Sequence, residues 1–187
     1  MTLTHILPTL RRSIPDPIDL DLWPELTRAS TTDITVSGIS LMHVVDLCGT
    51  PCVHTAAAVI PGTRGRPSAT ERATAVVVGV KSVERTTDGT LRIRIDATLG
   101  AGVVLSEARL IGRASTARVA PARLMEGAAG DVALPHGVPS DLVAGDLVAL
   151  PFRGAVTLGA VRPFTAPDHV PTSTGWLLDE RRLALLE

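Results

Sequence analysis

Between Ala73 and Val161 the chain is a succession of short strand-forming runs punctuated by glycine and proline, and that pattern leaves few folds open. Ala73–Val83 is rich in valine, Asp88-Gly89 marks a turn, and Leu91–Ile95 alternates arginine with aliphatics, so the three read as a hairpin. Further strands are predicted at Ala108–Ile111, Asp131–Leu134 and Leu147–Leu150, with a shorter one near Val156–Val161. Several short strands at this spacing predict a mainly β chain folded as a small closed or nearly closed barrel.

The segment before the barrel has a different texture. Pro8, Pro15, Pro17 and Pro24 interrupt residues 1–30, which predicts an extended, irregular arm rather than a helix or a regular strand. Asp33–Val36 reads as a short strand, Gly38 as a turn, and Ser40 as the N-cap of a helix over Leu41–Leu47 that Gly49 and Pro51 stop. Cys52–Ile60 reads as extended, and Pro61–Ser68 as a loop rich in glycine, proline and arginine. Trp176–Leu186 has apolar residues at helical spacing and predicts a terminal helix. The organisation expected is therefore an arm over 1–30, a barrel over 31–165 and a tail over 166–187.

Composition narrows the function classes. The chain has 187 residues, is 45% apolar and carries a formal net charge of -1, enough to bury one core and too little field to attract a polyanion. Nucleic acid is not expected as a partner. The apolar runs are far shorter than the ~20 residues of a membrane helix, and Met1–Leu10 lacks the basic start and long apolar stretch of a signal peptide. Two cysteines, Cys48 and Cys52, are too few for a secreted disulfide framework, so the cytoplasm is the expected location.

Residues of several segments together resemble a known family. Leu22-Trp23-Pro24, Ile34–Leu41 and Cys48-Gly49-Thr50-Pro51 resemble the opening of diaminopimelate decarboxylases and related fold-type III pyridoxal-phosphate (PLP) enzymes. Ala75–Val83, Ile93-Arg94-Ile95-Asp96, Leu110-Ile111-Gly112 and Leu142–Gly154, with Gly145-Asp146-Leu147 and then Gly154-Ala155, resemble the strands of that family's C-terminal β-barrel, in the family's order. The resemblance implies an arm that supplies a strand to the barrel, and a barrel that mediates dimer contacts and completes a neighbouring active site. Only about twenty residues lie between Val53 and Ala73, where the family has a TIM barrel of about 250. Where the family has its cysteine, glutamate and following aspartate, this chain has Ser115, Thr116 and Val119. Ala97 and Thr98 replace two glycines, and Val156 a tyrosine.

Candidate chemistry is thin. A PLP enzyme needs a lysine for its Schiff base, and Lys81, the only lysine in the chain, falls in a predicted scaffold strand. His43, Cys48, Cys52 and His54 are the right types for zinc. Their Cys-x3-Cys spacing is not that of a standard knuckle, so buried thiols are the first reading, with a redox pair or a metal as alternatives. Ser106-Glu107 and Ser115-Thr116 lack a nucleophile elbow and read as turn and strand-end residues. Arg64 and Arg66 flank Gly65 and read as a solvated loop before an anion site. His5, His136 and His169 have no visible partner in the sequence. No catalytic, cofactor-binding or metal-ligating residue is assigned, and no cofactor is expected. The leading expectation is a non-catalytic barrel that pairs with itself or with a PLP-dependent enzyme. A barrel that binds or senses a small molecule is the alternative, and an enzyme built on the cysteine–histidine cluster a third.

Overall fold

The computed structural model describes residues 2–125 and 131–161. The tail with its expected helix at Trp176–Leu186, and His169, lie outside the described residues. The fold is mainly β, as the sequence pattern predicts. Among the described residues there are ten strands: β1 (Arg28–Ala29), β2 (Ile34–Val36), β3 (Ile39–Ser40), β4 (Cys52–Val59), β5 (Pro67–Arg85), β6 (Leu91–Ile95), β7 (Arg109–Ile111), β8 (Val119–Met125), β9 (Asp131–Pro139) and β10 (Leu147–Arg153). The described residues also form three α-helices: α1 (Leu3–Ile6) before the strands, α2 (Leu41–Cys48) between β3 and β4, and α3 (Leu158–Val161) after β10.

Strands β1 to β3 form a small antiparallel sheet. The other seven form one curled sheet in the order β7-β10-β5-β6-β8-β9, with β4 on the first half of β5. All its pairings are antiparallel except β6 with β8. The far strand β9 returns toward β7, and the His136 ring meets the Ser106 carbonyl at 2.9 Å. No ladder joins β7 to β9 among the described residues, so the sheet is a half-barrel.

The valine run of β5 explains why the sheet has cover on both faces. Every residue from Ala73 to Val80 is buried. Val76, Val78 and Val80 point into the barrel with Leu91, Ile93, Leu124 and Leu150, while Ala75 and Val77 face the other way, toward Trp23, Ile34, Val36 and Leu41. This is the period-2 alternation of a strand sandwiched between two apolar layers. Inside the barrel, Val78, Ile93, Leu134 and their neighbours leave a cavity of about 10 Å³, no more than one water would fill. The interior is a packed core.

Helix α2 forms where its signals place it. Ser40 Oγ accepts from the His43 amide at 3.0 Å and donates to Asp33 Oδ2 at 2.6 Å, and Gly49 closes the helix at φ 70°. Three expectations are corrected. The arm is not purely extended: α1 and the 3₁₀ turns Pro8–Arg12 and Leu20–Leu22 shape it, because proline is well suited to the first turn of such helices. Leu158–Val161 is helical rather than a strand, since β10 ends at Arg153 and the i, i+3 spacing turns Leu158 and Val161 onto the barrel core together. The loop expected over Pro61–Ser68 ends early, as β5 begins at Pro67.

Candidate functional site

Arm and barrel are tied together by one buried carboxylate. Glu107, just before β7, accepts from Trp23 Nε1 at 3.0 Å, from the Asp19 amide at 3.2 Å and from Arg109 Nη2 at 3.2 Å. Arg109 also donates to the carbonyls of Pro17 at 2.8 Å and Ala108 at 3.0 Å, while its Nε is buried without an acceptor. Trp23 and Glu107 are both buried, so the tie is shielded from water and correspondingly strong.

Beside this anchor lies a cleft of about 450 Å³ between the arm, the β1–β2 turn, β7 and the end of β9. Its apolar wall includes Ile34, Leu110, Ile111 and Val138, and its polar lining includes Arg11, Arg109, Arg113, Asp16, Asp33 and His136. Most of those charges are already matched. Arg113 grips Asp146 with two bonds of 2.7 Å and reaches Asp141 at 3.2 Å. That bidentate hold pushes the Arg113 pKa further up. Partial burial pushes the Asp141 carboxyl up, but the hydrogen bonds from Ser115 and Arg113 outweigh it and hold the group below the usual carboxylate value. Asp33 accepts from the amides of Ile34 and Met42 and from Ser40.

The residues singled out in the sequence scatter over the molecule. Lys81 stands on β5, largely exposed, with Nζ 4.0 Å from Asp96 Oδ2. Asp96 is itself occupied by the Gly79 amide at 2.8 Å and Thr50 Oγ1 at 2.6 Å. A side chain on Gly79 would place its Cβ 2.8 Å from each of those two oxygens, which is why glycine stands there. Cys48 is exposed and Cys52 buried, both as free thiols. Burial, with the neighbouring Cys48, pushes the Cys52 thiol up to about 11, so it stays protonated and unreactive at neutral pH. His43 is exposed on α2, and His54 on β4 has a buried Nε2 without a partner. Among the described residues no group of three or more His, Cys, Asp or Glu is placed to hold a metal ion. No helix among them is long and apolar enough to cross a membrane.

Ser106 offers its carbonyl to His136, and Ser115 donates to Asp141 at 2.6 Å; neither hydroxyl meets a histidine among the described residues. Thr116 is half-buried. Arg64 and Arg66 are exposed in the loop joining β4 to β5. His5 and His136, which the sequence leaves without partners, both line the cleft. Arg11, like Asp16, Arg109 and Arg113, is a cleft residue that sequence reasoning passed over. Its one local signal is an arginine pair, Arg11-Arg12, inside a proline-rich arm.

No family model matches the chain, and no curated protein does. Among solved structures it is similar to the Paramecium bursaria Chlorella virus arginine decarboxylase bound to agmatine. The identity is 16%, and the match covers 48% of this chain and 28% of that one with a TM-score of 0.32. That likeness is a distant one of fold alone.

Proposed function

We propose that the chain is a non-catalytic barrel that works by association, pairing with a second copy of itself through the layer built by the arm, β1–β3 and α2. The observation that carries this reading is where apolar surface remains. Among the described residues, nine of the eleven large apolar side chains left exposed fall between Leu3 and Ile60, with Leu47 at 71% and Leu26 at 64% exposure. The same layer buries Trp23, Ile34, Val36 and Leu41 against the sheet, so it is apolar on its inner side and keeps apolar groups on its outer one. Single exposed leucines are ordinary; we read their concentration in this part of the chain as the surface that a second copy covers.

The family resemblance of the sequence adds a partner class. An arm and barrel with only a short hairpin where a TIM barrel would stand have apolar positions that another body would otherwise cover. A PLP-dependent decarboxylase or racemase is the second candidate partner on that ground. Size-exclusion chromatography with light scattering tests the reading directly: a dimer that Leu47→Glu with Leu26→Glu dissociates supports it. A strict monomer, with no PLP-dependent enzyme recovered by affinity purification from the native cell, overturns it.

A further inference from the structure

Arg11 keeps binding capacity that the fold does not use. Its side chain is about nine-tenths buried, Nε donates to Asp16 Oδ1 at 3.2 Å, and Nη1 donates to the Ala117 carbonyl at 2.9 Å. A guanidinium carries five N–H groups, and Nη2 of Arg11 has no acceptor among the described residues. Because Arg11 lines the cleft, an acceptor placed there can take that bond.

We propose that the cleft is a binding site for a small organic monocarboxylate, its carboxylate on Arg11 Nη2 and its apolar body against Leu110, Ile111 and Val138. The volume of about 450 Å³ is in the usual range for small-molecule sites, and the lining combines an apolar wall with a few polar groups. Charge matching selects a single negative charge. Arg113 is committed to Asp146 and Asp141, and Arg109 to Glu107 with its one acceptor-less nitrogen, Nε, buried, so Arg11 Nη2 is the open donor that these arginines offer the cleft. Asp16 lies 3.1 Å from Arg11 Nε and repels a second negative charge, which disfavours a phosphate. His136, on the cleft wall, donates Nδ1–H to the Ser106 carbonyl, the only role a carbonyl partner allows. The ligand bridges the arm and β7, and its binding stabilises the folded state by mass action. This proposal stands whether or not the chain self-associates.

The test uses the full chain with 2-naphthylacetate as probe, against 2-naphthylacetamide and 2-naphthyl phosphate, by thermal shift and isothermal calorimetry. The carboxylate should raise Tm and release heat, the amide should not, and the phosphate should bind more weakly. Arg11→Gln should weaken naphthylacetate about tenfold or more, the scale of one lost charge-assisted bond. Thr31→Trp puts bulk in the cleft from a half-buried loop position and should abolish binding while Tm is retained. If Arg11→Gln does not fold, the Thr31→Trp result decides. No response to naphthylacetate, an equal response to the amide, tighter binding of the phosphate, or binding untouched by Thr31→Trp each overturns the proposal.

Discussion

Replacing Glu107 by alanine should cost this fold about 3 kcal/mol. The substitution strands the buried Trp23 indole N–H, worth roughly 1–3 kcal/mol as an unsatisfied donor, and removes the counter-charge of Arg109. The second loss is smaller than for an isolated buried pair, which runs to roughly 3–5 kcal/mol, because Arg109 keeps the carbonyls of Pro17 and Ala108. With a urea slope of about 2 kcal/mol/M, the unfolding midpoint falls by about 1.5 M. Glu107→Gln keeps an acceptor for the indole and should lose about half as much. Trp23→Phe removes the donor together with part of the buried ring, a packing loss common to both backgrounds, so the Glu107→Ala/Trp23→Phe pair should be less destabilised than the sum of the singles by about 1 kcal/mol. Urea titrations followed by circular dichroism, a probe independent of Trp23, measure the four variants against the parent protein. A midpoint shift below about 0.3 M for Glu107→Ala, or strict additivity in the pair, refutes the claim that this carboxylate holds the arm on the barrel.

Gly137 sits at φ +64°, and a Cβ there would fall 2.2 Å from the Ala120 carbonyl oxygen, so Gly137→Ala should destabilise by about 3 kcal/mol. Gly89→Ala, at φ +84° in open space, should cost only about 1 kcal/mol, and equal midpoints in urea would show the contact to be immaterial. A thiol reagent at pH 8 should modify the exposed Cys48 quickly and Cys52 only after unfolding; two rapid equivalents would contradict the burial of Cys52. The folded-state pKa of Cys52 is raised from 9.0 to about 11, so its share of stability is complete below pH 9 and fades as pH climbs toward 11. Cys52→Ala should flatten that alkaline loss. The Asp141 pKa is depressed, so its contribution is present above about pH 3.8 and disappears as pH falls through its lower folded value. Ser115→Ala removes one of the bonds that depress it and should move the acid unfolding midpoint upward.

How much of this was readable in advance follows the range of each interaction. Helix α2 was legible to within a residue because Ser40 and Gly49 act within one turn of its ends. The β5–β6 hairpin was legible for the same reason, through Asp88-Gly89. Strand β8 was missed because Pro121 interrupts its pattern. Pro121 sits where the register with β9 shifts between Ala120 and Ala122, a position that tolerates a missing N–H. The parallel pairing of β6 with β8 has no local signature at all. The candidate site was the least legible part, since its contacts join distant positions. Arg11 meets Ala117 across 106 residues and Trp23 meets Glu107 across 84, and an arginine in a proline-rich arm looks solvated until those partners are known.

The two-faced burial of β5 makes arm and barrel a single physical unit. Ala75, Val77, Ile111 and Ala149 are buried only because Trp23, Ile34 and Leu41 lie over them, and the small side chains on β5 and β10 let the indole approach the sheet. Removing residues 1–30 would therefore do more than shorten the chain. It would uncover an apolar sheet face, leave the buried Glu107 without the Trp23 and Asp19 donors, and take away Arg11 with one wall of the cleft. Both proposed activities depend on that layer, association through its outer side and ligand binding beneath it. A ligand that pins the arm would also fix the outer surface that a second copy meets, so the two equilibria should be coupled in sign: naphthylacetate should tighten the dimer, and Glu107→Ala should weaken the dimer and the ligand together.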